Sequence, residues 1–354
     1  MYIFDAIHNP DTASGILSSL IPFYSLRNYV IRNSFKYCQP LLKKRSNTSV
    51  TMVKIITICG PTGIGKTSFA LAIARYFNGE IIGADSMQIY KYLDIGTAKP
   101  DKGELKMAPH HLVDFLDPKE EFDAGQYASR AGQVINSIYK RGTLPIVVGG
   151  TGLYIRALLY GLFRSQPVCE KTLSDLTRIL KEKGGLYLHE QLKICDPAAA
   201  GKIHPNDNFR LIRALEVFKT TGKPISDKQK RHDFKEPRFQ SLTLGLHMDR
   251  KKLYEQINRR VDIMINQGLL NEVNLLVKKG YSLDLKPMQS IGYRHMGMFL
   301  KGDIDFEEAV RLLKRDTRRY AKRQFTWFKK EPGLIWLEPS QTDKALDMIK
   351  DFLT

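Results

Sequence analysis

Gly60-Pro61-Thr62-Gly63-Ile64-Gly65-Lys66-Thr67 follows directly on the apolar run Val53-Lys54-Ile55-Ile56-Thr57-Ile58-Cys59. The pattern is G-x-x-x-x-G-K-[ST], placed where a buried strand would feed a helix. The helix is written in next, since Ser68 to Phe77 carries apolar residues at 69, 70, 73, 74 and 77. Strand, glycine turn and helix together aim backbone N–H groups at one point, where anionic oxygens belong. Gly60, Gly63 and Gly65 let the chain close around a phosphate, Lys66 supplies a point charge, and the Thr67 hydroxyl is suited to ligate Mg²⁺. An ordinary glycine-rich turn would need neither the lysine nor the threonine. By itself the motif is nucleotide-binding and of the ATP-binding type, and leaves open whose phosphates it holds.

Outward from the loop, apolar runs alternate with helical patterns. Glu80 to Ala84 ends at Asp85, a helix is expected from about Ala124 to Arg141, and Leu144 to Val148 ends at Gly149-Gly150-Thr151-Gly152. Such alternation implies right-handed βαβ units and a mostly parallel sheet. Loops at the carboxyl ends of parallel strands carry ligands, so 60–67, 85–88 and 149–153 should meet at one cleft. From Arg164 to Gln240 short charged helices replace this pattern (Leu173 to Lys183, Tyr187 to Ile194, Asn208 to Thr220), with breaks at Gly184-Gly185, Pro197 and Pro224. Ser241 to Leu246 then reads as a strand returning to the sheet, followed by helices over 250–267, 269–279 and 306–330. The fold class is therefore α/β: a P-loop NTPase-like, mostly parallel sheet flanked by helices, with an inserted small helical domain. The expected divisions are an extension over 1–51, the first part of the core over 52–163, the insertion over 164–240, and the completion of the core with basic helices over 241–354.

The chain has 354 residues, 43% of them hydrophobic, and a formal net charge of +18. Such an excess of charge does nothing for a fold and points to a polyanionic partner, with nucleic acid foremost. It is concentrated in 311–330, where Arg311, Lys314, Arg315, Arg318, Arg319, Lys322, Arg323, Lys329 and Lys330 interleave with Tyr320, Phe325, Trp327 and Phe328. Cys38, Cys59, Cys169 and Cys195 form no C-x-x-C pair, which suggests neither a zinc site nor a disulfide framework. No apolar run nears the roughly 20 residues that would cross a bilayer, so no membrane partner is expected. Ser14 to Val50 contains no acid but six lysines and arginines, which reads as an appendage, or a start placed upstream of Met52.

Asp85-Ser86 at a strand end offers a carboxylate as general base, with helix capping as the plainer alternative. Gln88 to Lys91 and Asp94 to Pro100 group further polar side chains on the same segment.

Here the order of motifs closely resembles the tRNA dimethylallyltransferases, or tRNA isopentenyltransferases, of bacterial type. The resemblance rests on the loop 60–67, on D-S-M-Q-I-Y at 85–90 and on D-I-G-T-A-K-P at 94–100. It continues through H-H-L-V-D at 110–114, V-G-G-T-G-L-Y at 148–154, H-P-N-D at 204–207, R-A-L-E-V at 213–217, Q-S-I-G-Y-R at 289–294 and K-R-Q-F-T-W at 322–327. It spans Met52 to about Leu337.

The resemblance implies that dimethylallyl diphosphate gives its five-carbon group to N6 of the adenosine just 3′ of the anticodon, position 37, in tRNAs reading codons that begin with U. By it the loop 60–67 holds the isoprenoid diphosphate, with Mg²⁺ at Thr67; Asp85 is the general base and Thr151 a stabiliser at the reacting centre. It carries tRNA contact to Asp85, Ser86, Met87 and Gln88; to Phe209, Arg210, Leu211, Ile212 and Arg213; to Gln289, Ser290, Ile291, Gly292, Tyr293 and Arg294; and to Lys322, Arg323, Gln324, Phe325, Thr326, Trp327, Phe328 and Lys329. The implied partners are the tRNA anticodon stem-loop and dimethylallyl diphosphate, met by a cytoplasmic monomer. The chain departs from the family pattern in three places: Leu173 and Gln256 stand where arginines are usual, and Phe209 where a glutamine is. A P-loop small-molecule or nucleotide kinase, and an RNA-binding relative without catalysis, are the rival readings.

Overall fold

The computed structural model describes residues 52–162, 170–232 and 236–354, so the expectations for 1–51 and for the start of the 164–240 segment lie outside the described residues. Six parallel strands form one sheet: β1 (Lys54–Cys59), β2 (Gly79–Gly83), β3 (His110–His111), β4 (Leu144–Gly149), β5 (Gln240–Leu246) and β6 (Ile335–Leu337). Their order across the sheet is β3-β2-β4-β1-β5-β6. β1 lies between β4 and β5, with Ile56 beside both Ile146 and Leu242. Five of its six residues are buried, which is why it reads as an unbroken β-branched run rather than an alternation.

Alternation appears instead in which face each residue serves. Ile55 and Cys59 pack into the cluster on one side with Ile82, Tyr127 and Leu158, while Ile56 and Ile58 pack on the other with Phe69, Ile73 and Leu244. Helices cover both faces, as a parallel sheet requires. Ala124–Lys140 opens with a capping box in which Asp123 accepts from Gln126 N–H and the Gln126 side chain returns to Asp123 N–H.

The segment between β4 and β5 builds a third cluster around Leu176, Leu188, Leu192, Leu211 and Leu215, separate from the two sheet faces. Its first helical stretch runs over Glu170–Cys195 but turns at Gly184, where φ is 78° and ψ 171°. That conformation is open to glycine and closed to most side chains, and it makes two packed helices from one run. The break expected at Gly184-Gly185 is thus real, though short enough that the helical assignment bridges it. The strands the sequence left unassigned, β3 and β6, are the two edges, of two and three residues. Among the described residues no helix is long and apolar enough to cross a membrane.

Ile58→Ala removes a side chain with 0% exposure from the central strand and should cost about 2–5 kcal/mol, read from the denaturant midpoint. Ile194→Ala, at a position 79% exposed, should change stability by less than about 0.5 kcal/mol.

Candidate active site

Because β2, β4 and β1 are neighbours, the loops at their carboxyl ends stand side by side. Direct bonds tie two of them together: Thr151 N–H donates to the Ala84 carbonyl at 3.1 Å and Ser86 N–H donates to Thr151 Oγ1 at 3.0 Å. The loops open onto a cavity of about 310 Å³ lined by Thr62, Gly63, Asp85, Ser86, Met87, Arg260 and Tyr320, among others. Convergence of 60–67 and 85–88 is direct, whereas Thr151 stands behind Ser86 and acts on the cavity through it.

The two carboxylate oxygens of Asp85 differ in employment. Oδ1 accepts from Met87 N–H at 2.9 Å and from Gln88 N–H at 3.4 Å, so it caps the turn that follows. Oδ2 has no hydrogen-bond partner among the described residues and remains available to accept a proton. The capping and base readings of this residue are compatible, one per oxygen. Gln88 does not face the cavity with it: its amide donates to the carbonyls of Thr97 and Ala98 at 3.1 and 2.9 Å and holds 94–100 in place. Glu272 completes that wall by accepting from the N–H groups of Asp94, Ile95 and Gly96.

Two cations lie within electrostatic reach of the carboxylate. The Lys66 ammonium lies back against its own loop, donating to the Pro61 carbonyl at 2.8 Å. Burial, helped by the nearby Arg260 charge and opposed by Asp85, lowers its pKa to about 8. Burial likewise lowers that of Arg260, against the pull of Asp85. Arg260 forms no ion pair among the described residues and projects into the cavity, so an anion there would meet an uncompensated guanidinium. Arg259 and Arg260 are the nearby arginines that could compensate for the one absent at Gln256, and Arg260 is the one that lines the cavity. The structure separates the two: Gln256 lines a different depression, outside the loop with Gly65 and Ser68, while Arg260 lies one helical turn further on. Helical periodicity from Ile257 and Val261, both buried, was the signal that could have found it.

Gly65 initiates the helix Lys66–Phe77 in the left-handed region at φ 94°, which leaves the helix N-terminus facing the loop. The half-buried Thr67 hydroxyl on that first turn makes no hydrogen bond among the described residues. Among the described residues no group of three His, Cys, Asp or Glu side chains could hold a metal. The donor set therefore suits Mg²⁺ carried by a diphosphate, with most ligands coming from phosphate and water and one from Thr67.

The cavity is closed by the helix Phe306–Phe328. Gln324, 5% exposed, accepts from Thr62 N–H at 2.8 Å through Oε1 and donates from Nε2 to the Gly150 carbonyl at 2.9 Å. One amide thus joins the loop after β1 to the loop after β4. The helix approaches so closely that a Cβ on Gly150 would lie 2.3 Å from Gln324 Nε2, and one on Gly152 2.2 Å from Trp327 Nε1. One turn before Gln324, the Tyr320 phenol faces Thr151 and Gln324, and burial raises its pKa. Tyr320 is a site residue the motifs did not single out.

The residues expected at a nucleic-acid surface divide by burial. Gln289, Ser290 and Ile291 line the cavity with Arg323. Phe209, Arg210, Lys322, Thr326 and Lys329 are exposed, and Ile212, Arg213, Arg294, Phe325 and Trp327 partly so. Leu211, Tyr293 and Phe328 are buried at 0–1%, and Gly292 and Gln324 are buried too, so in this structure they place their neighbours rather than face outward. Tyr293 does so by donating to Glu272 Oε1 at 2.5 Å beneath Gly96. Lys322, Arg323, Lys329 and Lys330 have no acidic partner among the described residues, unlike Lys314, which pairs with Asp262 at 2.5 Å. Of the nearby cations that could replace the arginine absent at Leu173, Lys171 and Arg178, the latter is engaged with Asp175 and Glu182 on its own helix.

A family model described as IPP transferase matches residues 88–331. The chain is 49% identical over 304 residues to a tRNA dimethylallyltransferase of Desulfosudis oleivorans, covering 86% of this chain and 97% of the relative. It is 48% identical over 301 residues to one of Acetivibrio thermocellus, covering 85% and 96%. Among solved structures it is similar to the full-length tRNA isopentenylpyrophosphate transferase of Bacillus halodurans, with TM-score 0.64, 38% identity and coverage of 85% and 96%. It is also similar to a eukaryotic dimethylallyltransferase acting on tRNA, with TM-score 0.74, 31% identity and coverage of 85% and 79%.

Gln324→Leu strands the Thr62 N–H and the Gly150 carbonyl. It should lower stability by about 1–3 kcal/mol for each group left unpaired and weaken inorganic pyrophosphate binding, measured by calorimetry. Lys66 is charged below its pKa of about 8, and a bound anion favours that form. Pyrophosphate affinity should therefore be greatest below pH 8 and fall as the pH rises through it, a dependence that Lys66→Met removes.

Proposed function

The chain belongs to the IPP transferase family and is an enzyme of tRNA dimethylallyl transfer; on that premise we propose that it prenylates N6 of the adenosine at position 37, just 3′ of the anticodon, in tRNAs reading codons that begin with U. The donor is dimethylallyl diphosphate. The observation that carries the reading is that one cavity is lined by both Asp85, with a carboxylate oxygen that has no partner among the described residues, and Arg260, while the buried Lys66 lies within electrostatic reach of both.

An allylic C–O bond breaks when charge on the departing diphosphate is neutralised. The loop N–H groups of 60–67, the Lys66 ammonium and the Arg260 guanidinium supply that neutralisation from one side. Mg²⁺, when bound at Thr67, adds positive charge to the same leaving group. From the other side the adenine N6 forms the new C–N bond as the C–O electron pair departs with the diphosphate. The N6 lone pair is delocalised into the ring, so bond formation needs a partner that takes its proton, and Asp85 Oδ2 is the acceptor. Thr151 holds the Ser86 N–H and so fixes the turn that aims Asp85.

An adenine stacked in a loop cannot reach a carboxylate inside a cavity, so it must leave the stack and enter it. Gln289 and Arg323 at the lining, and the unpaired cations Lys322, Lys329 and Lys330 beyond it, suit a base edge and backbone phosphates respectively. We further propose that the partner is the anticodon stem-loop, that a single chain suffices, and that the enzyme works in the cytoplasm.

Purified protein with Mg²⁺, labelled dimethylallyl diphosphate and unmodified tRNA bearing A-A-A after the anticodon should yield label in adenosine, and the absence of label would overturn the reading. Asp85→Asn keeps a capping oxygen for Met87 and Gln88 but removes the base. It should slow transfer about 10²- to 10⁴-fold with tRNA affinity little changed. Lys322→Ala should weaken tRNA binding at all sequences alike and reduce the salt dependence by about one counterion.

A further inference from the structure

Phe209 is 82% exposed, the most exposed large apolar side chain among the described residues. It is not on a frayed end. Its helix, Asn208–Thr221, is capped by Asp207, which accepts from Arg210 N–H at 3.2 Å, and is anchored through Leu211, Ala214 and Leu215, each at most 3% exposed. With those three residues inward, the helical period turns Phe209 to the outside and holds it there.

The ring borders a groove of about 580 Å³ that runs from this helix to the turn after β4, with Leu153, Arg156, Arg210, Arg213 and Trp327 around it. Trp327 is half-buried, with the Arg156 guanidinium 4.6 Å from its ring centre. Among the described residues no Asp or Glu lines the groove, although Arg156, Arg210 and Arg213 are held from outside it by Glu331, Asp207 and Glu216. None lines the adjoining one of about 770 Å³ either, where Arg156, Arg210 and Trp327 recur beside Arg319, which meets Asp316, and beside Lys322 and Arg323, which meet no acid among the described residues. An apolar peptide has no use for such walls, and an acidic one has none for two aromatic faces. A single-stranded nucleic acid uses both, its phosphates meeting the cations and its bases stacking on the rings.

We propose that Phe209 is a stacking platform for one unstacked base of the anticodon loop, distinct from the base that enters the cavity. The inference rests on the tRNA reading above. At this position the chain presents a face with no hydrogen-bonding group. Every base has a π-face, so recognition at this point is tolerant of base identity.

The test uses anticodon stem-loop RNAs carrying 2-aminopurine at one loop position at a time, titrated with the full chain and with Phe209→Ala, Phe209→Leu and Phe209→Tyr. The wild-type protein should quench the probe at one position beyond the reacting adenosine. Phe209→Ala should abolish that quench and weaken binding about 5- to 150-fold, the range of one base–aromatic stack. Phe209→Tyr should restore both and Phe209→Leu neither, with thermal midpoints unchanged because the side chain is exposed. Base exchange at the quenched position should alter wild-type affinity less than about 3-fold. Wild-type quenching and affinity in Phe209→Ala, or full rescue by leucine, would overturn the proposal. Labelled transfer run on the same preparations separates the two claims: quenching that depends on Phe209 without transfer would sink the reaction and leave the platform standing.

Discussion

One side-chain amide holds the active-site geometry together. Gln324 sits on a helix more than 170 residues from the Gly150 turn and more than 260 from the Thr62 loop, yet its carbonyl and amino ends satisfy both backbones within 3 Å. A buried amide is costly unless both ends are paired, so the helix has one seating that satisfies it. That seating brings Tyr320 and Arg323 to the cavity and points Lys322 and Lys329 outward. The glycines at 150 and 152 exist to let the helix come that near.

Charge is distributed with comparable economy. The cavity sets Arg260 against Asp85 with Lys66 buried nearby; burial lowers the pKa of both cations, and the Arg260 charge lowers that of Lys66 further. A diphosphate relieves both at once, while the carboxylate keeps one oxygen free because the other is fixed by the turn. The net charge of +18 resolves into two populations. Some basic groups are structural, like Lys99, which joins Asp94 and Asp114 and is 7% exposed. Others, Lys322 and Lys330 among them, meet no acid among the described residues.

Strong local signals were readable residue by residue. β1 and its loop, the helix after Asp123, the break at Gly184 and the return strand β5 all announce themselves through burial runs, caps and glycine. β3 and β6 did not, because a strand of two or three residues at a sheet edge has no period to detect. Tyr320 was overlooked for a related reason: within a helix carrying so many cations and rings, no linear pattern says which ring faces inward. Similarly Gln324 reads as one more polar residue on a basic face, and only its burial reveals that it serves two loops.

By itself the sequence determined the fold class, the phosphate loop, Asp85 and the motif order that marks the family, because each depends on residues within one turn or strand of one another. Tertiary structure alone decided which arginine enters the cavity, which of the expected contact residues are buried beneath others, and that Phe209 stands clear of the surface. Those outcomes depend on how a helix is rotated and seated against elements far away in the chain. Rotation about a helix axis is set by packing of the whole face, and no local pattern contains it.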